Sequence, residues 1–93
     1  MDRKNDYKIP ICGEMPDFGS KRVVVGAKQL KKAILNGMAR RVYLAANADP
    51  AITGVLEELC GQHGIPYSWV RSMSELGRAC RIEVGAAAAA VVD

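Results

Sequence analysis

Val23-Val24-Val25-Gly26-Ala27-Lys28-Gln29-Leu30-Lys31-Lys32-Ala33-Ile34 holds the reading on which the fold turns. Three β-branched residues stop at Gly26, and the spacing of apolar residues then changes from every position to every third or fourth. The valines read as a short buried strand or strand stub. Ala27, Leu30, Ala33, Ile34 and Gly37 fall on one helical stripe. Lys28, Lys31 and Lys32 fall on the opposite side, at i, i+3 and i+4. Leu35 sits among the lysines and does not fit this division. Gly37 reads as the helix stop.

The alternation continues toward the C-terminus. Val42-Tyr43-Leu44-Ala45-Ala46 is a second strand, apolar enough to be covered on both faces. Asn47-Ala48-Asp49-Pro50 then starts a helix, with Asp49 as cap and Pro50 at the first helical position. Ile52, Val55, Leu56, Leu59 and Cys60 keep helical spacing as far as Gly64. Ile65-Pro66-Tyr67-Ser68-Trp69-Val70 reads as a third strand, with Pro66 near its beginning. In that strand Tyr67 and Trp69 read as core more than as base-stacking residues. Ser72-Met73-Ser74-Glu75 fits a capping box and opens a short helix through Leu76 and Ala79. Gly85 to Val92 contains five consecutive alanines, which favour helix, and two closing valines, which favour strand. A helix of that length is marginal alone, so the segment is expected to be a strand whose small side chains let helices pack close.

Strands alternating with helices give an α/β class and a three-layer α/β/α sandwich. Residues 1–20 are polar, broken by Pro10, Gly13, Pro16 and Gly19, and read as an N-terminal tail or arm. Ile9, Ile11 and Phe18 give that arm its few apolar contacts. Residues 21–93 form the single domain.

Several function classes are excluded early. No apolar run approaches the ~18–20 residues of a membrane span. The first six residues carry charge with no apolar stretch behind it, so they do not read as a signal peptide. A cytoplasmic protein is expected, without membrane partners. Cys12, Cys60 and Cys80 are odd in number and lack Cys-x-x-Cys spacing, and His63 is the single histidine. No disulfide framework, metal site or cofactor is expected. Ser72 reads as a cap and not as a nucleophile.

Charge is unevenly spread. Residues 1–41 hold ten Lys/Arg against four Asp/Glu, whereas residues 42–93 hold three against six. Between Asp17 and Asp49 there is no acid, yet Lys21, Arg22, Lys28, Lys31, Lys32, Arg40 and Arg41 all lie there. Solvated helix faces usually mix signs. A one-signed stretch on a small domain makes a field that draws polyanions, so a nucleic-acid or phosphate partner is expected.

Residues 25–33 are similar to the Gly-x-(Asn or Lys)-(Glu or Gln)-x-x-Lys segment of the kink-turn-binding ribosomal proteins of the "L seven Ae" and "L thirty e" type. Ala45-Ala46-Asn47-Ala48-Asp49-Pro50 resembles that family's Ala-x-Asp-x-Asp-Pro turn. Gly64-Ile65-Pro66-Tyr67, then Ser72 with Glu75 to Cys80, then Ile82 to Ala88 follow in the family's order. The resemblance covers about residues 21–92. Lys28-Gln29 matches the small bacterial members, where archaeal ones carry Asn-Glu. Asn47 stands where an acid is common.

The resemblance implies a mixed four-stranded sheet and a non-catalytic protein that recognises and stabilises kink-turn RNA or a related internal loop; a monomer is expected. The ribosome is a candidate setting. It also implies RNA contacts from Gly26, Lys28, Gln29 and Lys32 at the first helix and from Ile82, Glu83 and Val84 before the last strand. The residue chemistry agrees. Gly26 allows close backbone approach at a helix N-terminus, and Gln29 offers a donor and an acceptor to a base edge. Lys28 and Lys32 suit phosphates, Lys28 also a guanine acceptor. Lys31 shares the basic face. Ile82 and Val84 suit an extruded base; Glu83, which repels phosphate, suits orienting its neighbours. Arg71, Arg78 and Arg81 flank this segment and can add phosphate contacts.

Two other readings stand beside this one. The first is a protein-interaction adaptor of the same fold without specific RNA binding. The second is a nucleotide binder or enzyme, hinted at by Val23 to Gly26 before a helix. Both Gly-x-Gly-x-x-Gly and Gly-Lys-Ser/Thr are absent, which counts against it.

Overall fold

A computed structural model describes residues 13, 16 and 18–93. The alanine run forms the strand that holds the others. β4 (Ala88–Val92) lies inside a four-stranded sheet, between β1 (Arg22–Val25) and β2 (Ala39–Ala45), and is antiparallel to both. β3 (Tyr67–Val70) adds to the far side of β2 in parallel, giving the order β1-β4-β2-β3. Ala88, Ala89 and Ala90 are fully buried. Helix propensity favours alanine by tenths of a kcal/mol per residue. Two ladders of hydrogen bonds and burial on both faces outweigh it. The strand begins at Ala88, so residues 85–87 belong to the preceding loop.

Alternation along the strands divides the core in two. Val42, Leu44, Ala88, Ala90 and Val92 point to one face, where α1 (Ala27–Leu35) and α2 (Pro50–His63) contribute Leu30, Ala33, Ile34, Leu56 and Cys60. Ala45, Val70 and Ala89 point to the other, where α3 (Met73–Ala79) contributes Leu76. The result is the expected α/β/α sandwich with a mixed four-stranded sheet. Tyr67 and Trp69 are half-buried against the first cluster, as expected for core residues.

Local signals set the helix ends. Asp49 Oδ1 accepts from the Ala51 N–H at 2.9 Å, with Pro50 following it. Ser72 Oγ accepts from the Glu75 N–H at 3.1 Å. α1 ends at Leu35, and Gly37 follows at φ +72°. Met38 and Gly37 then donate back to the Ala33 and Ile34 carbonyls. Leu35, the misfit of the sequence pattern, is indeed exposed.

Three expectations are corrected. β2 starts at Ala39, three residues before the apolar run, through a register shift between Ala39 and Arg41. In α2 the inward line is Thr53, Leu56 and Cys60, whereas Ile52 and Val55 are exposed. At about 100° per residue, the apolar positions from Ile52 to Cys60 form one stripe about 140° wide, and contact with α1 and the sheet turns the helix toward the Thr53 side of it, leaving Ile52 and Val55 at the exposed rim. Phe18, counted with the tail, is 7% exposed, and its ring meets Tyr43 edge-to-face at 5.3 Å. In addition, the Gly13 N–H donates to the Trp69 carbonyl at 3.1 Å. The expectations for Ile9, Ile11 and Cys12 lie outside the described residues.

Truncating Phe18 removes a buried aromatic from the α3 face. Phe18→Ala should cost about 2–4 kcal/mol in a urea-unfolding measurement. A loss below about 1 kcal/mol would show that the ring adds nothing to this core.

Candidate nucleic-acid interface

β1 leads into α1 through Gly26, whose φ of +101° lies where a side chain is strained. No atom lies within 4 Å of the position a Cβ would take, so backbone conformation and not crowding demands glycine there. No side chain caps α1, and its first turn carries no acid. The first-turn N–H groups, which a helix leaves without intrahelical partners, are therefore available to an anion.

The Gly26 N–H donates to the Ala88 carbonyl at 3.0 Å. This bond sets the start of α1 beside the chain entering β4. Ala87 is held from the other side, its carbonyl accepting from the Ala45 N–H at 2.9 Å. Since β4 runs against its neighbours, the loop at residues 81–87 lies at the carboxyl ends of β1, β2 and β3. In open α/β sheets, ligands bind at that end.

Helix α3 carries this loop rigidly. The Ile82 N–H donates to the Gly77 carbonyl and the Ala86 N–H to the Met73 carbonyl, both at 3.0 Å. A Cβ on Gly77 would stand 2.1 Å from the Val84 carbonyl oxygen, so the loop backbone lies directly on the helix. Asn47 Oδ1 accepts from the Met73 N–H at 2.8 Å, which ties the turn after β2 to the same helix start. The neutral residue at position 47 thus has a structural bond to make, whatever charge it lacks.

The structure brings the two expected groups to one end of the sheet except for Lys32, which stands in the last turn of α1. Gly26, Lys28 and Gln29 occupy the α1 start, while Ile82, Glu83 and Val84 occupy the loop. Lys28, Gln29, Lys31, Lys32 and Glu83 are exposed, and Val84 is 70% exposed. Ile82 differs from its neighbour: it is half-buried against the α3-side core, so it anchors the loop that Val84 tips. Gln29 and Lys32 also line a shallow groove of about 140 Å³ with Arg22, Val24, Asn36 and Met38.

The one-signed stretch of sequence separates in space. Arg22 donates to the Asp93 backbone carbonyl at 2.8 Å, and Arg40 pairs with the Asp93 carboxylate. Arg41 bonds the Ser68 hydroxyl and lies over the Tyr43 ring. Lys28, Lys31 and Lys32 have no hydrogen bond or ion pair to any described residue. Of that stretch, Lys21 and the three lysines of α1 remain without a side-chain partner among the described residues, and Arg71, Arg78 and Arg81 around the loop join them.

Sequence reasoning gave no role to Gly77. A glycine inside a helical pattern was its one signal, and such glycines often mark close packing. Among the described residues no group of three or more His, Cys, Asp or Glu is placed to hold a metal ion, and no helix is long and apolar enough to cross a membrane. Cys60 and Cys80 are free. Burial pushes both thiols up, with the Glu57 charge adding at Cys60, so neither is an activated nucleophile.

Residues 19–93 match the Ribosomal protein L7Ae/L30e/S12e/Gadd45 family. The chain belongs to this family. It is 46% identical over 69 residues to an RNA-binding protein of Caldanaerobacter subterraneus subsp. tengcongensis, covering 74% of this chain and 84% of that protein. It is 38% identical over 71 residues to the RNA-binding protein YbxF of Geobacillus stearothermophilus, covering 76% of this chain and 87% of that one. Among solved structures it resembles the 15.5kD RNA binding protein of Giardia lamblia, with a TM-score of 0.72 and 35% identity. That match covers 76% of this chain and 60% of the Giardia protein. These relatives are named for RNA binding.

Gly77→Ala tests whether α3 sets the loop. It should lower stability by about 1–3 kcal/mol, the usual range for overpacking. Amide exchange at Ile82 and Ala86 should quicken. Unchanged melting and exchange would mean that the loop holds its position without this contact.

Proposed function

We propose that this chain is a non-catalytic RNA-binding module that recognises and stabilises kink-turn RNA. The observation that carries the reading is the Gly26–Ala88 hydrogen bond. It joins an uncapped, basic helix start to a loop tipped by an exposed valine. A continuous RNA duplex offers phosphates but no unstacked base to an apolar tip. A sharply bent internal loop offers both.

The roles follow from chemistry. Gly26 and the first-turn N–H groups receive a phosphate without a Cβ in the way. Gln29 presents an amide that both donates and accepts, as a sheared G·A base edge requires. Lys28, Lys31 and Lys32 neutralise backbone phosphates. Val84 packs against an extruded base, and Glu83 orients the loop beside it. The relatives' names support RNA as the polymer. A ribosomal or ribosome-associated setting fits the ribosomal proteins in the family description; we take the protein to be cytoplasmic and to act as a monomer.

The adaptor reading keeps one specific observation: Ile52 and Val55 are exposed on α2.

Titration of a kink-turn RNA, beside a control whose G·A pairs are replaced, tests the proposal. With about four to six phosphates contacted, log affinity should fall against log salt with a slope of roughly −3 to −5. Gln29→Ala should cost about 1–3 kcal/mol on the kink-turn and little on the control. Lys31→Ala should weaken both alike. A flat salt response, or no preference for the intact kink-turn, would overturn the reading.

A further inference from the structure

Each helix is followed by a residue in the left-handed region. After α1 it is Gly37 at φ +72°, after α2 Gly64 at +67°, and after α3 Arg81 at +62°. Glycine takes this conformation freely, whereas a side chain crowds the following carbonyl. Arg81 is the one non-glycine residue with positive φ among the described residues.

The turn leaves Arg81 no other backbone conformation. Its N–H donates to the Arg78 carbonyl, and the next N–H, from Ile82, donates to the Gly77 carbonyl, each at 3.0 Å. These are the two closing bonds of a left-handed helix stop. Relaxing Arg81 would break both and lift the loop from α3. A glycine would satisfy the same geometry without strain.

Among the described residues nothing offsets that strain through the side chain. Arg81 is exposed and makes no hydrogen bond or ion pair to any described residue. Glu83, two positions on, does not pair with it. Its neighbours in the sequence are the loop residues that reach the carboxyl end of the sheet, where the unpaired α1 lysines begin. Arg78, one turn back on α3, is likewise exposed and without a partner among the described residues.

We propose that Arg81 grips a phosphate of the RNA whose unstacked nucleotide rests on the loop at residues 82–84. This inference rests on the RNA reading above and adds a residue to it. The planar guanidinium can meet two phosphate oxygens at once. The backbone strain is stability given up to carry a cation at the shoulder of the loop, a position where glycine serves the fold better.

Arg81→Gln, Arg81→Gly and Arg81→Lys separate charge from strain. Each is titrated with the kink-turn RNA and with the control RNA over a range of salt, and each is melted without RNA. Arg81→Gln keeps the strain and loses the charge. Its affinity should fall about 5–20-fold, its salt slope should shrink by about 0.7–0.9, and its melting temperature should stay near wild type. Arg81→Gly should lose the same affinity yet melt about 3–6 °C higher. Arg81→Lys should stay within about three-fold of wild type, since a point charge replaces the fork.

Affinities and salt slopes of the Gln and Gly variants that match wild type would overturn the role of Arg81, even with kink-turn preference intact. A wild-type chain that binds both RNAs equally would overturn kink-turn recognition instead, and the Arg81 effect would still be read on either RNA. A wild-type chain that binds neither would overturn both.

Discussion

β4 presents only methyl groups to either face from residue 88 to residue 90, and it bonds to a strand on each side. Side chains of any size there would hold α1 and α2 off one face and α3 off the other. Because the alanines are small, the helices approach the sheet closely and Leu30, Ile34, Leu56 and Leu76 fill the remaining space. Close approach also fixes how far the loop into β4 projects. The Ala87 and Ala88 carbonyls are held by β2 and by Gly26, so the loop starts its excursion from a set point. The candidate interface is thus a property of the core as much as of the surface.

What the sequence revealed of the fold was what neighbouring residues decide. Asp49-Pro50, Ser72 to Glu75, Gly37 and Gly64 act within one turn of chain, and each stands where the pattern puts it. The inward side of α2 is another matter. Its apolar positions form one stripe about 140° wide, yet contact with elements elsewhere in the chain turned the helix so that the Thr53 side faces in. Phe18 was hidden for the same reason: no periodicity surrounds it, and its partner Tyr43 lies on a strand beyond α1.

The candidate site divides in the same way. The lysines of α1 and the glycine at its start declare themselves through charge and backbone freedom. Their meeting with residues 82–84 depends on the pairing of Val25 with Ala89, a register that no local signal encodes. Only resemblance to a family placed both groups in one site. Nor does sequence show which cations are occupied. Asp93 bonds Arg22 and Arg40 near the start of β1 and β2, whereas the lysines of α1 and Arg71, Arg78 and Arg81 have no side-chain partner among the described residues.

The two edges of the sheet are unequal. Beyond β3, Gly13 already occupies the Trp69 carbonyl, whereas among the described residues β1 bonds only to β4. An open edge rich in valine invites pairing with another chain. This one is four residues long and opens at Arg22, with Lys21 just before it and Lys32 across the shallow groove. A second copy arriving edge-on would bring the same cations against these. The positive charge that draws a polyanion therefore also guards the sheet against self-association, and the guard weakens wherever salt or a bound polyanion screens it.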